Sequence, residues 1–130
     1  MTQFLDLVDL LGLIDDLDVG PIRDLGLLEA AAVRPTTTLW GNDVYPTEME
    51  KTAALLESLV CHRPLVDGNK RLGFLAVHVF LGLNGWDLVA PDDDAYDLVI
   101  GVAEGRLGMS ESAELLATRC VRDGAEGHRR

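Results

Sequence analysis

The chain has few cysteines and few basic residues, and each shortage argues against a class of protein. Its 130 residues include 2 cysteines. Cys61 and Cys120 have neither the spacing of a metal site nor the number that a disulfide framework needs, so both are expected to be reduced. Lysine and arginine total 11 against 22 acidic residues, which gives a formal net charge of -11. This acidity argues against a protein that binds nucleic acid over its whole surface, although a local basic patch stays possible.

A long hydrophobic run and a targeting signal are also missing. The longest uncharged stretch, residues 72–86, is too short to span a bilayer and contains His78 and Asn84. The N-terminus, M-T-Q-F-L-D-L-V-D-L-L-G-L-I-D-D, carries an acid every few residues and no basic region, unlike a signal peptide. We therefore expect a cytoplasmic chain with no membrane partner.

What is present indicates one globular domain. Hydrophobic residues make up 48% of the chain, which argues against intrinsic disorder, and the length suits one core. We expect residues 1–122 to form a single domain and residues 123–130, D-G-A-E-G-H-R-R, to form a disordered tail.

Helical spacing, capping residues and stop signals predict an all-α fold of about six helices. In the first helix, the apolar stripe is expected to include Phe4, Leu5, Val8 and Leu11. The fourth helix is apolar on all sides and is expected to be the central, buried one. The helices should begin at or just after these residues, in chain order: Phe4, Asp24, Thr47, Asp67, Asp92 and Ser110.

The pattern predicts a β-hairpin in only one segment, residues 36–45, T-T-T-L-W-G-N-D-V-Y. They are β-branched, aromatic or turn-forming, and Gly41-Asn42 is the expected turn. The predicted architecture is therefore six helices around a central helix, with one small hairpin.

Residues 61–74, C-H-R-P-L-V-D-G-N-K-R-L-G-F, concentrate polar side chains at the break between two apolar helices. A loop that enters a helix through Gly68 presents free backbone N–H groups at the positive end of the helix dipole, which favours an anion. Lys70 and Arg71 are poorly placed there for helix stability, and a bound phosphate would neutralise them. A lone carboxylate beside a phosphate site is the usual way to hold Mg²⁺, and Asp67 is the candidate for that carboxylate.

Plainer interpretations of the same residues stay open. Asp67 can be a simple helix cap, Lys70 and Arg71 a solvated turn, and His62 a cation at a helix end. V-D-G-N can also form a hairpin turn between two strands, but the uncharged run that follows is longer than a typical strand.

The segment H-R-P-L-V-D-G-N-K-R resembles the motif of the Fic/Doc superfamily in its Doc (death-on-curing) branch, which reads roughly H-x-x-x-D-x-N-K-R. Three further segments look like the same family and extend the resemblance over about residues 22–109: I-R-D-L-G-L-L-E-A-A-A-V-R-P, Y-P-T-E-M-E-K-T-A-A-L-L and L-G-L-N-G-W. Fic proteins, which transfer AMP to target proteins, have glycine at the position of Lys70 and a second arginine at that of Phe74. Both differences favour the Doc branch.

The resemblance implies a toxin of a toxin–antitoxin system that transfers the γ-phosphate of ATP to a threonine of elongation factor Tu and so blocks translation. It implies ATP and Mg²⁺ as cofactors, and an antitoxin that packs its C-terminal segment on the toxin as a helix. By position, Asp67 would bind Mg²⁺, Asn69 would hold a phosphate group with Gly68 allowing close approach, and Lys70 and Arg71 would neutralise phosphate charge. The hairpin would be a flap that positions the target segment in extended form, through Thr37, Thr38, Leu39 and Trp40.

One position departs from the family pattern. The family histidine, the expected general base, lies four residues before the acid, where this chain has Arg63; His62 lies five before it. An arginine cannot accept a proton at physiological pH. Three explanations stay open: an introduced disabling substitution, a natural inactive member, or a loop adjustment that brings His62 to the site.

Two other functions therefore stay open. The domain could be an inactive module that only receives an antitoxin or another partner helix, or an AMP transferase on the Fic pattern, which Lys70 disfavours. No direct DNA binding is expected, because the chain is acidic and has no basic recognition helix.

Overall fold

The computed structural model describes residues 1–123, which are mostly helical. Within that range it contains six α-helices and two small two-stranded sheets, so the predicted all-α class with about six helices is confirmed. A short 3₁₀ turn, Arg34–Thr36, follows the second helix. In chain order the elements are α1 (Leu7–Leu17), α2 (Leu25–Val33), β1 (Thr38–Leu39), β2 (Asn42–Asp43), α3 (Glu48–Cys61), α4 (Asn69–Leu83), β3 (Trp86–Leu88), α5 (Asp92–Ala103), α6 (Met109–Arg119) and β4 (Cys120–Arg122).

Three of the predicted helix starts are confirmed. Asp24 caps α2 by accepting a hydrogen bond from the Leu27 N–H, and Thr47 caps α3 in a capping box with Glu50. Helix α5 begins at Asp92, as predicted. These caps join residues three positions apart, so sequence alone reveals them.

Two predicted caps are wrong. Helix α4 is entered through Gly68, whose left-handed backbone (φ 96°) separates Asp67 from the first turn. Helix α6 starts after Gly108, and the Glu111 carboxylate accepts the Gly108 N–H at 2.8 Å. Ser110 lies inside the first turn of α6 rather than before it.

The apolar stripe predicted for the first helix is also wrong in part. Asp6 caps α1 in a capping box with Asp9, so Phe4 and Leu5 precede the helix. Val8 is exposed, and the buried positions of α1 are Leu10 and Ile14. The cap sets the rotation of the helix and hence the face that meets the core.

The predicted hairpin is present, but its turn lies one residue earlier than expected. Leu39 pairs with Asn42, which leaves Trp40 and Gly41 as the two turn residues, with φ values of 54° and 79°. Two positive φ values match the twist of a two-residue hairpin. The second sheet, in which Asp87 pairs with Val121, was not predicted, because its two strands are three residues long and lie more than thirty residues apart in the chain.

Helices α3 and α4 are shared by two core clusters. One face of the pair packs on α1 and α2 through Leu55, Leu59 and Phe80, and the other packs toward α5 and α6. This confirms the central position predicted for α4. Across residues 1–123, no helix has the length and apolarity needed to cross a membrane. The predicted tail lies outside the described residues, except Asp123, whose N–H donates to the Gly85 carbonyl.

Two glycines of α4 make a matched test of the α3–α4 contact. A Cβ on Gly73 would lie 2.7 Å from Val60 Cγ1 and 3.0 Å from Leu56 Cδ1, whereas a Cβ on Gly82 meets nothing within 4 Å. Both Gly→Ala changes gain about 1 kcal/mol of helix propensity. Only Gly73→Ala overpacks the core, at a cost of about 1–3 kcal/mol.

We therefore expect urea denaturation to give a higher midpoint for Gly82→Ala than for the parent chain, and a midpoint for Gly73→Ala that lies clearly below that of Gly82→Ala. Equal midpoints for the two variants would contradict the close packing of α3 on α4.

Candidate functional site

The polar motif of residues 61–74 borders a cavity of about 320 Å³ that we call the motif cavity. It lies between the end of α3, the start of α4 and one side of α5. Its lining residues are Val60, Arg63, Val66, Asp67, Gly68, Asn69, Lys70, Arg71, Tyr96, Ala103 and Glu104. The structure therefore brings most of the predicted site residues together around one opening.

The motif loop, residues 62–68, is held by the connecting segment, residues 19–24, between α1 and α2. Four backbone hydrogen bonds join them: Gly20 N–H to Asp67 O (3.1 Å), Val66 N–H to Pro21 O (2.9 Å), and Arg23 and Asp24 N–H to Pro64 O (2.7 and 3.0 Å). The Arg23 guanidinium also donates to the carbonyls of His62 and Arg63, each at 2.8 Å. The connecting segment thus fixes the path of the motif loop, a role that we did not predict.

Asn69 has a structural role that the sequence did not reveal. Its side-chain Oδ1 accepts the Leu65 N–H and its Nδ2 donates to the Leu65 carbonyl, both at 2.9 Å, and Asn69 is buried. Both ends of the side-chain amide are therefore engaged within the loop. Asn69 is also the first residue of α4, so its backbone N–H is one of the groups without an intrahelical acceptor.

Gly68 is required by packing as well as by its backbone angle. With φ at 96°, the residue adopts a conformation that favours glycine. A Cβ there would lie 2.5 Å from the Cβ of Val19, in the connecting segment. The close approach at Gly68 is thus between the connecting segment and the start of α4.

The start of α4 has the electrostatics of an anion site. The Leu72 N–H bonds to the Gly68 carbonyl, so the N–H groups of Asn69, Lys70 and Arg71 precede the first intrahelical bond. Lys70 and Arg71 are exposed. The Asp67 carboxylate is 83% exposed, and its 3.9 Å ion pair with Arg71 is weak because both groups are solvated. These side chains can therefore turn to a ligand at little cost.

Arg63, and not His62, lines the motif cavity beside Asp67. His62 caps the end of α3 and borders a separate cavity of about 440 Å³ with Arg23, Cys61, Arg63, Leu65 and Val66. Arg63 adopts a left-handed backbone, with φ at 54°. Among the described residues that line the motif cavity there is no histidine.

Cys61, which adjoins His62, does not have the properties of an activated nucleophile. Burial raises the pKa of the Cys61 thiol and the Glu57 carboxylate raises it further, against an opposing effect of Arg34. The thiol donates to the Val102 carbonyl at 3.3 Å. A reactive cysteine needs a lowered pKa, and the Cys61 thiol is raised in pKa and bonded to a backbone carbonyl instead.

The flap residues lie outside the motif cavity. Thr37, Thr38, Leu39 and Trp40 are exposed, and the side chain of Trp40 at the hairpin tip is 90% exposed. None of the four lines the motif cavity. The hairpin is free to contact another molecule.

Helix α5 contributes cavity residues that the motif does not contain. Tyr96 and Glu104 line the opening opposite the start of α4, and the Glu104 carboxylate pairs with Arg106 at 2.9 Å. Phe74 stacks edge-on against Tyr96, with ring centroids 5.6 Å apart. No local signal pointed to these two cavity residues, because only the tertiary packing brings α5 to the motif.

The donor set fits a metal held jointly with phosphates. Within residues 1–123 there is no group of three or more histidine, cysteine or acidic side chains that could hold a metal ion by themselves. Asp67 is the carboxylate beside the free N–H groups at the start of α4, while the other carboxylate of the lining, Glu104, is paired with Arg106. Asp67 alone suits Mg²⁺ shared with a polyphosphate, since Mg²⁺ needs only one or two protein oxygens there.

Comparison with known proteins identifies the family of this chain. The chain matches the model of the Fic/DOC family over residues 3–81. It therefore belongs to the Fic/DOC family, and its helical fold with small sheets is consistent with that membership. It is also 43% identical over 121 residues to a protein of Mycolicibacterium smegmatis named Toxin Doc, an alignment that covers 90% of this chain and 93% of that protein.

The structural role of Asn69 can be tested against its neighbour. Asn69→Ala leaves the N–H and carbonyl of buried Leu65 without their partner, so we expect unfolding free energy to fall by about 1–3 kcal/mol. Lys70→Ala, one residue on, removes an exposed side chain and should change it by no more than about 0.5 kcal/mol. Chemical denaturation measures both, and equal stabilities would show that Asn69 does not hold the loop.

Proposed function

We propose that this chain is a Doc-like toxin domain whose motif cavity binds ATP with Mg²⁺ and whose phosphate transfer is disabled by Arg63. The observation that carries the proposal is the lining of one cavity by Arg63, Asp67, Lys70 and Arg71 at the start of α4, in a member of the Fic/DOC family. The relative named Toxin Doc supports the toxin assignment.

Phosphate binding follows from the charges at the start of α4. The N–H groups of the first turn and the helix dipole favour a phosphate there, and Lys70 and Arg71 neutralise its remaining charge. Asp67 holds Mg²⁺, which supplies charge neutralisation on the transferred group. The cavity has a volume of about 320 Å³ and opens between the start of α4 and Tyr96 and Glu104, next to the N–H groups and cations that would hold the phosphates.

Two residues favour γ-phosphate transfer over AMP transfer. Lys70 stands at the Fic glycine position. Phe74 stands at the position of the second Fic arginine, where its ring packs on His78 and Tyr96 and offers no charge to a phosphate. The target is a threonine of elongation factor Tu, presented in extended form along the hairpin.

The missing element is the general base. A base near the target hydroxyl contributes about 10²- to 10⁴-fold to such reactions, and Arg63 cannot accept the proton. His62 borders the neighbouring cavity, and the Arg23 guanidinium holds its carbonyl. Binding of nucleotide and of an antitoxin helix does not need the base, so both are retained in this chain.

A second function is favoured by the same residue. Arg63 adds a third cation to the lining of the motif cavity, which suits a module that holds an anion without transferring it. In that case the chain receives an antitoxin or another partner helix and has no enzymatic role.

A transfer assay tests the proposal. ATP labelled separately at the α and γ positions is incubated with elongation factor Tu and either this chain or its Arg63→His variant. We expect no label from this chain and at least about 100-fold more transfer from the γ position with Arg63→His, because a base is then restored. The matched control is His62→Ala in the Arg63→His background, which should transfer at the same rate.

Each other outcome has a defined meaning. Label from the α position would replace the kinase assignment with AMP transfer. If the unaltered chain transfers label and His62→Ala abolishes that transfer, His62 is the base. If the transfer survives His62→Ala, then Arg63 does not disable the chain and His62 is not the base. No label from either version would favour the binding module.

A further inference from the structure

Lys51 is buried in α3, beneath the hairpin. The residue is 3% exposed, and its ammonium donates to the Asp43 carboxylate at 3.0 Å and to the Tyr45 carbonyl. Both acceptors belong to the hairpin or to the residues that follow it. The ammonium of a buried lysine thus bonds α3 to an exposed hairpin.

Stability alone does not account for a lysine at this position. Removing an ammonium from water costs several kcal/mol, and replacing a buried ion pair with apolar side chains is often neutral or stabilising. Its neighbours in α3 include Thr52, Ala54 and Leu55, all fully buried. A methionine would fill the same space without a charge.

The hairpin has little else to hold it. Its strands, Thr38–Leu39 and Asn42–Asp43, have two residues each, and all four are exposed. A two-stranded hairpin without an apolar face is marginal by itself. A second link lies at its base, where Arg34 donates to the Tyr45 hydroxyl at 2.8 Å and pairs with Glu57 at 2.8 Å.

The hairpin tip also carries a backbone strain that a disordered loop would relieve. Trp40 has a positive φ of 54°, which is uncommon for a bulky residue. A strained conformation persists only where surrounding contacts enforce it. The pairing of Leu39 with Asn42 imposes that turn, and the bonds from Lys51 to Asp43 and Tyr45 hold the end of the strand that carries it.

We propose that Lys51 is a positioning residue that holds the hairpin in one conformation, ready to pair with an extended segment of a protein target. The inference rests on the proposed function for the hairpin as a target-binding flap. Beyond that function, the inference states that a buried cation in α3 keeps the flap ordered. The flap therefore does not need to fold when a target segment binds.

Nuclear magnetic resonance relaxation tests the first part without any activity. Backbone ¹⁵N order parameters of residues 38–43 should be near about 0.85 in the unaltered chain and fall below about 0.6 in Lys51→Met. Asp43→Asn leaves the core untouched and should also lower the order parameters. It therefore tests the role of Lys51 even if Lys51→Met does not fold. Arg119→Met removes an exposed cation from α6 and is the matched control, expected to change nothing.

Kinetics in the Arg63→His background test the second part. We expect Lys51→Met to raise KM for the protein target about tenfold while kcat stays within about twofold, since the change acts on target positioning. Unchanged order parameters in folded Lys51→Met and Asp43→Asn would overturn the inference, and so would lowered order parameters with an unchanged KM. If Arg63→His transfers no phosphate, the kinase function fails, and the order parameters alone decide the role of Lys51.

Discussion

Residues 62–68 leave one helix and enter the next without regular structure, so their backbone groups need hydrogen-bond partners elsewhere. The connecting segment supplies them: Gly20, Pro21 and Arg23 bond to the motif loop, and Val19 packs where Gly68 lacks a side chain. The Asn69 amide then closes the loop on Leu65. The position of the first turn of α4, and with it the motif cavity, depends on this pairing.

The consequence is a division of labour among neighbouring residues. Gly68 and Asn69 are committed to the framework and set the direction of α4, while Asp67, Lys70 and Arg71 are exposed and only weakly paired. A rigid frame with mobile charged groups at its edge suits a ligand that brings its own charge, because binding then needs little rearrangement of the backbone. The free N–H groups at the start of α4 point to an anion.

The positive charges of this chain are few and distributed unevenly. In a protein of net charge -11, the lining of one small cavity has three cations and two carboxylates, and this local excess of positive charge favours an anionic ligand. Arg63 adds to that preference for anions, and under the proposed function it stands where the transfer reaction would need a base. Lys51 has a different role, because its charge is buried and directed to the hairpin rather than to the cavity.

Sequence by itself determined the features whose bonds are local. The caps at Asp24 and Thr47 join residues three apart, the apolar run of α4 marks a buried helix, and the H-R-P-L-V-D-G-N-K-R segment identifies the family. Only the tertiary structure decided that α4 begins after Gly68, that Asn69 serves the loop, that Arg63 rather than His62 borders the cavity, and that Tyr96 and Glu104 complete it. The Asn69–Leu65 bonds span only four residues, but they require the loop path that the connecting segment holds, and the other outcomes depend directly on segments distant in the chain. Their contacts are set by the path of the backbone between the helices, which no local pattern encodes.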